Sequence, residues 1–221
     1  MLVAAAMAAI VLTTTGAAWA RDVGCEGTVV LDAGHGGTDS GAVNKTYGLT
    51  EKAEALKVAY ELKALLVEDG YSVCMTRTSN EQTLSNNDRY AYANATTGAE
   101  VLVSVHMNGS TNPATDYTTT LFGKWQKDKA FAQTVFKSLS TLPAASGTGT
   151  IATKTPYSFA SGVLLKSTMP ATIAETVFIT SDKEAEWLKN GRTMPDGTVV
   201  SRQHQIAQKL EAGIQGYLAT H

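Results

Sequence analysis

Past residue 20 the chain alternates short β-branched runs with longer stretches of helical spacing. Gly27 to Leu31 (GTVVL) is a compact apolar run stopped by Asp32-Ala33-Gly34-His35-Gly36-Gly37, the pattern of a buried strand that ends in a loop. Leu56, Ala59, Leu62, Leu65 and Leu66 then recur at helical spacing. They predict a helix from a Thr50 cap to about Asp69, with Gly70 just past its end. Tyr71 to Thr76 reads as a second strand, Leu84 to Ala95 as a second helix, and Val101 to Val105 as a third strand that stops at His106. Tyr117 to Phe122 is strand-like, and Ala130 to Leu142 sets Phe131, Val135, Phe136 and Leu139 on one side of a helix. Pro143 to Thr155, rich in small residues, reads as an exposed loop. Val163 to Leu165 and Ala171 to Ala174 read as short strands, and Asp182 to Lys189 and Ser201 to Leu218 as helices.

This alternation predicts the α/β class, as a single three-layer α/β/α domain with a mostly parallel twisted sheet. No internal repeat or linker interrupts it, and 221 residues fit one domain. Open sheets of this kind bind ligands beyond the carboxyl ends of their strands. His35 and His106 follow the first and third strands, Glu51 opens the first long helix, and Glu175 follows Ala171 to Ala174. Four polar groups are therefore placed to converge on one cleft.

Composition narrows the class. With 43% hydrophobic and 17% charged residues and a net charge of -2, the chain is globular and lacks the basic stripe of a nucleic-acid binder. Leu2 to Leu12 is an unbroken apolar run, and Ala18-Trp19-Ala20 forms a small-x-small site before Arg21, the first charged residue. That is the pattern of a secretory signal over residues 1–20, although no Lys or Arg precedes the run. The run is short for a membrane span, so no stable insertion is expected once it is removed, and residues 21–221 are expected to form the one folded domain, as a monomer. Cys25 and Cys74 both fall in the exported part, and an even count in an oxidising compartment predicts one disulfide.

Two imidazoles and one carboxylate make up a zinc set that leaves a fourth position for water. Ligand type alone leaves other divalent metals open. So does spacing, because these residues lie far apart in sequence and a lone His beside glycines also serves as an ordinary loop residue. His204, in the last helix, and His221, at the terminus, read as surface.

The stretch VVLDAGHGGTDSGAV resembles the opening motif of the zinc-dependent N-acetylmuramoyl-L-alanine amidases. That motif is a strand, then Asp-x-Gly-His-Gly-Gly, then Asp-x-Gly-Ala, carried here by Asp32, Gly34, His35, Gly36, Gly37, Asp39, Gly41 and Ala42. Glu51-Lys52 is similar to the family's Glu-Lys at the start of its long helix, and Thr76-Arg77 to its Thr-Arg after the second strand. Leu84, Arg89, Ala93 and Asn94 are similar to a family helix, Ser104-Val105-His106-Met107-Asn108 to its Ser-Ile-His-x-Asn, and Pro170 with Glu175 and Phe178 to its last motif. The resemblance covers about residues 28–218.

It implies one Zn2+ held by His35, Glu51 and His106, and a catalytic Glu175. The implied substrate is peptidoglycan or a muropeptide, cut between N-acetylmuramic acid and L-alanine, and the implied place is secreted or periplasmic, at the bacterial cell wall. Thr176-Val177, the segment Asp116 to Thr120, and a loop Thr148 to Ser158 whose basic residue is Lys154 depart from the family pattern, in regions expected to touch substrate. Arg77 and Arg89 read as structural partners of helix ends or carboxylates, with substrate clamps as the alternative, and Asn108 as a candidate for orienting a ligand or contacting substrate. Between His106 and Glu175 lie one ordinary helix and the small-residue loop, which predicts an open site with intrinsic activity. The rival readings are a zinc peptidase acting on the stem peptide and a wall-binding protein without activity.

Overall fold

The computed structural model describes residues 25–194 and 196–221. The predicted leader at Met1 to Ala20 lies outside them. Strand β1 (Val29–Ala33) is buried along its whole length, two residues further on than the apolar run implied. A hairpin of two-residue strands, β2 (Val43–Asn44) and β3 (Leu49–Thr50), leads into helix α1 (Glu51–Glu68). Thr50 holds the N-cap position but its side chain makes no cap bond, because it belongs to the hairpin. Gly70, at φ 88°, turns the chain out of α1 in a conformation that side chains avoid.

Strand β4 (Val73–Met75) follows, then helix α2 (Asn86–Ala95), opened by a capping box in which Ser85 and Asp88 satisfy each other's backbone. Strand β5 (Val101–Asn108) runs on past His106, and β6 (Thr119–Phe122) leads to α3 (Trp125–Leu139). The small-residue loop beyond α3 buries Ile151 at 3% exposure and ends in β7 (Tyr157–Ser158). The segment read as a strand at Val163 to Leu165 is instead a short helix, α4 (Gly162–Lys166). A three-residue apolar run has no period of its own, and here packing against α2 decides its form. Strand β8 (Ala171–Phe178), helix α5 (Asp182–Asn190), the pair β9 (Arg192–Thr193) and β10 (Val199–Val200), and helix α6 (Arg202–Leu218) complete the fold.

The six-stranded sheet has the order β4-β1-β5-β8-β6-β7. Its first four strands are mutually parallel, β6 runs antiparallel to β8, and β7 parallels β6. Helices α1, α3 and α6 cover one face and α2 and α4 the other, which gives the expected three layers. The larger core holds Leu31, Val103, Leu62, Leu66, Phe131 and Leu210, all fully buried. Each such side chain contributes about 1.5–3 kcal/mol by leaving water. Cys25 and Cys74 form a disulfide with Cα atoms 6.1 Å apart, tying the lead into β1 to β4. Among the described residues no helix is long and apolar enough to cross a membrane.

Candidate functional site

The carboxyl ends of β1, β5 and β8 open into a cleft of about 460 Å³ whose lining includes His35, Glu51, His106, Asn108 and Glu175. His35 reaches it from the loop after β1 and is held at φ 60°. It is the one non-glycine residue with positive φ among the described residues, a conformation that costs on the order of 1–3 kcal/mol.

Two buried arginines hold that loop in place. Arg89 donates to the Ala33 carbonyl at 2.8 Å and to the His35 carbonyl at 2.7 Å. Arg77 donates to the carbonyls of Ala33 and Gly34, each at 2.8 Å, and to that of Lys52 at 2.6 Å, so it joins the His35 loop to the first turn of α1. Beneath them lies Asp32, fully buried and bound by Thr76 at 2.6 Å, Ser104 at 2.6 Å and Arg89 at 2.7 Å. Burial pushes the Asp32 carboxyl up, but the Arg89 charge and these three hydrogen bonds outweigh it and leave the pKa below the ordinary value. Arg89 pairs with a carboxylate as expected, whereas Arg77 serves the structure through loop carbonyls and the first turn of α1 and pairs with no carboxylate among the described residues.

Glu51 is the first residue of α1, where the helix N-terminus favours a carboxylate. Its Oε2 accepts from the Ala42 amide at 2.8 Å and its Oε1 from the Met107 amide at 3.0 Å. The same Oε1 lies 2.9 Å from His35 Nε2 and 3.0 Å from His106 Nδ1. Burial acts to raise the Glu51 carboxyl, but hydrogen bonds and charge from His106 and His35 hold it at about 2. Burial likewise acts to lower the His35 imidazole, and the bonds and charges of Glu51 and Asp39 reverse that into a net rise.

One donor atom from each of His35, Glu51 and His106 falls within 4.8 Å of the others. Ligands about 2.1 Å from a tetrahedral ion stand about 3.4 Å apart, so the donor set and its spacing fit a zinc ion. His35 Nδ1 faces Asp39 Oδ2 at 2.8 Å, the outer carboxylate that commonly orients a metal-ligating imidazole. Two glycines leave the space the rings occupy. A Cβ on Gly34 would lie 2.4 Å from the His106 ring, and one on Gly41, at φ 62°, 2.5 Å from Glu51 Oε2.

Glu175 is the register partner of His106 on the neighbouring strand and lines the same cleft. It is part of β8 and not a loop residue after a shorter strand. Burial raises its pKa, with the Glu51 charge adding and the His106 and His35 charges opposing. All four residues proposed from the sequence therefore come together. Glu54 does not join them, since its carboxylate binds Lys57 at 2.8 Å and Gln203 at 2.6 Å. His204 pairs with Glu61 at 3.0 Å and His221 stacks on Tyr217 at 4.1 Å, outside the cleft as expected. Asn108 lines the cleft past an irregularity in the β5–β8 register, with its amide nitrogen buried and without a partner.

Sequence reasoning had no role for Asp39 beyond the motif, although its spacing of four from His35 was a usable signal. It also missed Tyr157 and Phe159 on the cleft wall, because aromatic residues at the end of a small-residue loop carry no periodic pattern.

A family model described as N-acetylmuramoyl-L-alanine amidase matches residues 29–215. The chain is 30% identical over 195 residues to the probable cell wall amidase LytH of Staphylococcus saprophyticus, an alignment covering 87% of this chain and 58% of that protein. It is 31% identical over 176 residues to the sporulation-specific N-acetylmuramoyl-L-alanine amidase of Bacillus subtilis, covering 73% of this chain and 60% of the relative. The chain thus spans less than two thirds of either relative. Among solved structures, an N-acetylmuramoyl-L-alanine amidase from Clostridium difficile 630 superposes with a TM-score of 0.73 at 29% identity, covering 88% of this chain and 98% of that one. The catalytic domain of CwlV, from Bacillus (Paenibacillus) polymyxa var. colistinus, gives 0.70 at 30% identity, covering 87% and 98%.

Proposed function

The chain belongs to the N-acetylmuramoyl-L-alanine amidase family, and on that premise we propose that it is a zinc-dependent hydrolase of the amide joining N-acetylmuramic acid to L-alanine in peptidoglycan. The observation that carries this reading is the convergence of His35, Glu51 and His106, with Glu175 across from His106 in the same cleft.

His35 Nε2, a Glu51 oxygen and His106 Nδ1 are the atoms that would hold one zinc ion. Bound there, zinc supplies Lewis acidity to the substrate carbonyl and to the attacking water. Asp39 keeps the His35 ring turned toward the cluster through its other nitrogen. The Glu175 carboxylate takes a proton from the water as the water oxygen bonds to the lactyl carbonyl carbon. It then passes that proton to the alanine nitrogen as the carbon–nitrogen bond breaks. A carboxyl raised by burial suits both steps, because it accepts the proton readily and holds it until the amine departs. We place the protein outside the cytoplasm, at the bacterial cell wall, acting as a monomer on wall polymer or on muropeptides.

The test is a digest of intact peptidoglycan, with and without a chelator, followed by mass. Peptides with a new L-alanine amino terminus and intact glycan are expected, lost on chelation and restored by zinc. Cleavage within the stem peptide, or cleavage indifferent to chelation, would overturn the reading.

A further inference from the structure

The cleft is longer than one scissile amide requires. From Glu175 it runs along a single sheet face, because Ile173 lies two residues back on β8 and Leu121 is the register partner of Ile173 on β6. Val163 of α4 extends this aliphatic floor. Tyr157 and Phe159, two residues apart at the β7 edge, form the outer wall and remain 39% and 48% exposed. Lys154 Nζ stands 4.9 Å from the Tyr157 ring centroid, a cation–π contact that steadies the ring.

Two polar side chains face this limb, Asn86 at the start of α2 and Ser161 just before α4. Neither side chain has a hydrogen-bond partner among the described residues. Of the charged lining residues, Asp32, Asp39 and Glu51 belong to the β1 and α1 end of the cleft, Glu175 stands where the limb begins, and Arg89, one turn along α2 from Asn86, is taken up by Asp32 and the Ala33 and His35 carbonyls. An aliphatic and aromatic surface with a few unpaired polar groups suits a ligand that has one apolar face and a hydrogen-bonding edge. A pyranose ring answers that description, with axial C–H bonds on its face and hydroxyl and acetamido groups at its rim. A stem peptide carries carboxylates and an ammonium, whereas the cation beside this limb, Lys154, lies over the Tyr157 ring and is not part of the cleft lining.

We infer that the limb between β7 and the start of α2 is a saccharide subsite that takes the N-acetylmuramyl ring, or its neighbour in the glycan, against Tyr157 and Phe159. Asn86 and Ser161 hydrogen-bond the rim of the sugar. The stem peptide then leaves by the charged end of the cleft. This rests on the amidase reading and adds to it which side of the scissile bond each end receives.

Two measurements test it. The first compares a disaccharide-peptide with a lactoyl-peptide that keeps the same amide and lacks the sugar, using zinc-loaded protein. Tyr157→Ala and Phe159→Ala are expected to reduce the preference for the sugar-bearing substrate about tenfold, mainly through KM, and Phe159→Tyr to preserve it. The second titrates Glu175→Gln protein with peptide-free oligomers of alternating N-acetylglucosamine and N-acetylmuramic acid. Saturable binding is expected, weakened by adding Phe159→Ala. Equal losses on both substrates, or competition for the limb by sugar-free stem peptide, overturn the subsite. The binding arm needs no hydrolysis. Glycan binding sensitive to Phe159→Ala in a protein that cleaves neither substrate would sink the amidase reading alone. Cleavage without glycan binding, and with an unaltered preference, would sink the subsite alone.

Discussion

His106 and Glu175 sit directly across from each other on adjacent parallel strands, so the sheet itself sets the distance between a proposed ligand and the proposed base. Removing a ligand should therefore cost metal, and removing the base only rate. His35→Ala, Glu51→Ala and His106→Ala are expected to lose zinc and hydrolysis together. Glu175→Gln is expected to keep zinc and the fold while turnover falls about 10²–10⁴-fold, the usual share of a general acid–base. Metal content measured beside single-turnover hydrolysis of a soluble muropeptide checks this, and a wild-type rate in Glu175→Gln would remove that residue from the mechanism.

Asp39 tests the outer contact. It is exposed and bonds His35 Nδ1 at 2.8 Å, so Asp39→Ala should leave stability nearly unchanged. Zinc affinity is expected to drop about 10–100-fold, as for other carboxylates behind a ligating imidazole. A competition titration with a chromophoric chelator gives the number.

Arg89 and Asp32 form a buried ion pair at 2.7 Å. Arg89→Met leaves Asp32 charged in the interior, at a cost of about 3–5 kcal/mol at neutral pH. The native pKa of Asp32 is depressed, so its stabilisation is present above the unfolded value near 3.9 and is lost as pH falls through the lower native one. Urea midpoints for wild type and Arg89→Met should accordingly converge in acid.

A second buried group has the opposite sign. Burial raises Glu184 to about 7 against the pull of Arg202, and Asp116, itself raised by burial, hydrogen-bonds it. The folded chain thus keeps a proton that the unfolded chain has released, and stability falls as pH rises from the ordinary 4.5 to about 7. Asp116→Asn removes one of the two carboxyls and should flatten that slope, most visibly in urea midpoints taken at about pH 5 and about pH 8.

The disulfide closes a separation of 49 residues. On the chain-entropy model it contributes about 4 kcal/mol. Thermal unfolding of wild type with and without reductant should show most of that difference, and a Cys25→Ala/Cys74→Ala double variant should show none.

Much of this was legible in the sequence because the site lies where strand ends and motifs coincide. His35 follows a Gly-bounded apolar run, His106 ends another apolar run and Glu51 opens a periodic helix, but it was the family resemblance that implied their joint role. What escaped was decided by tertiary contact. Val163 to Leu165 became helical against α2, and Thr50 joined a two-residue hairpin too short to leave a pattern. Asp32 stood in the motif as one acidic residue, and nothing local marks it as the fully buried acceptor of three side chains from distant parts of the chain.

The placement of the disulfide also governs how the protein responds to being held. Cys25 lies at the amino end of β1, whereas the cleft opens at the carboxyl ends of the same strands. Tension applied upstream of Cys25 divides between the main chain into β1 and the covalent bond into β4, so the load is shared by two strands and enters β1 at the end away from the His35 loop. Protein fixed to a bead or a film through that end would carry its cleft at the opposite end of the sheet, and the pull of the anchor would be spread over two strands before it came near the site.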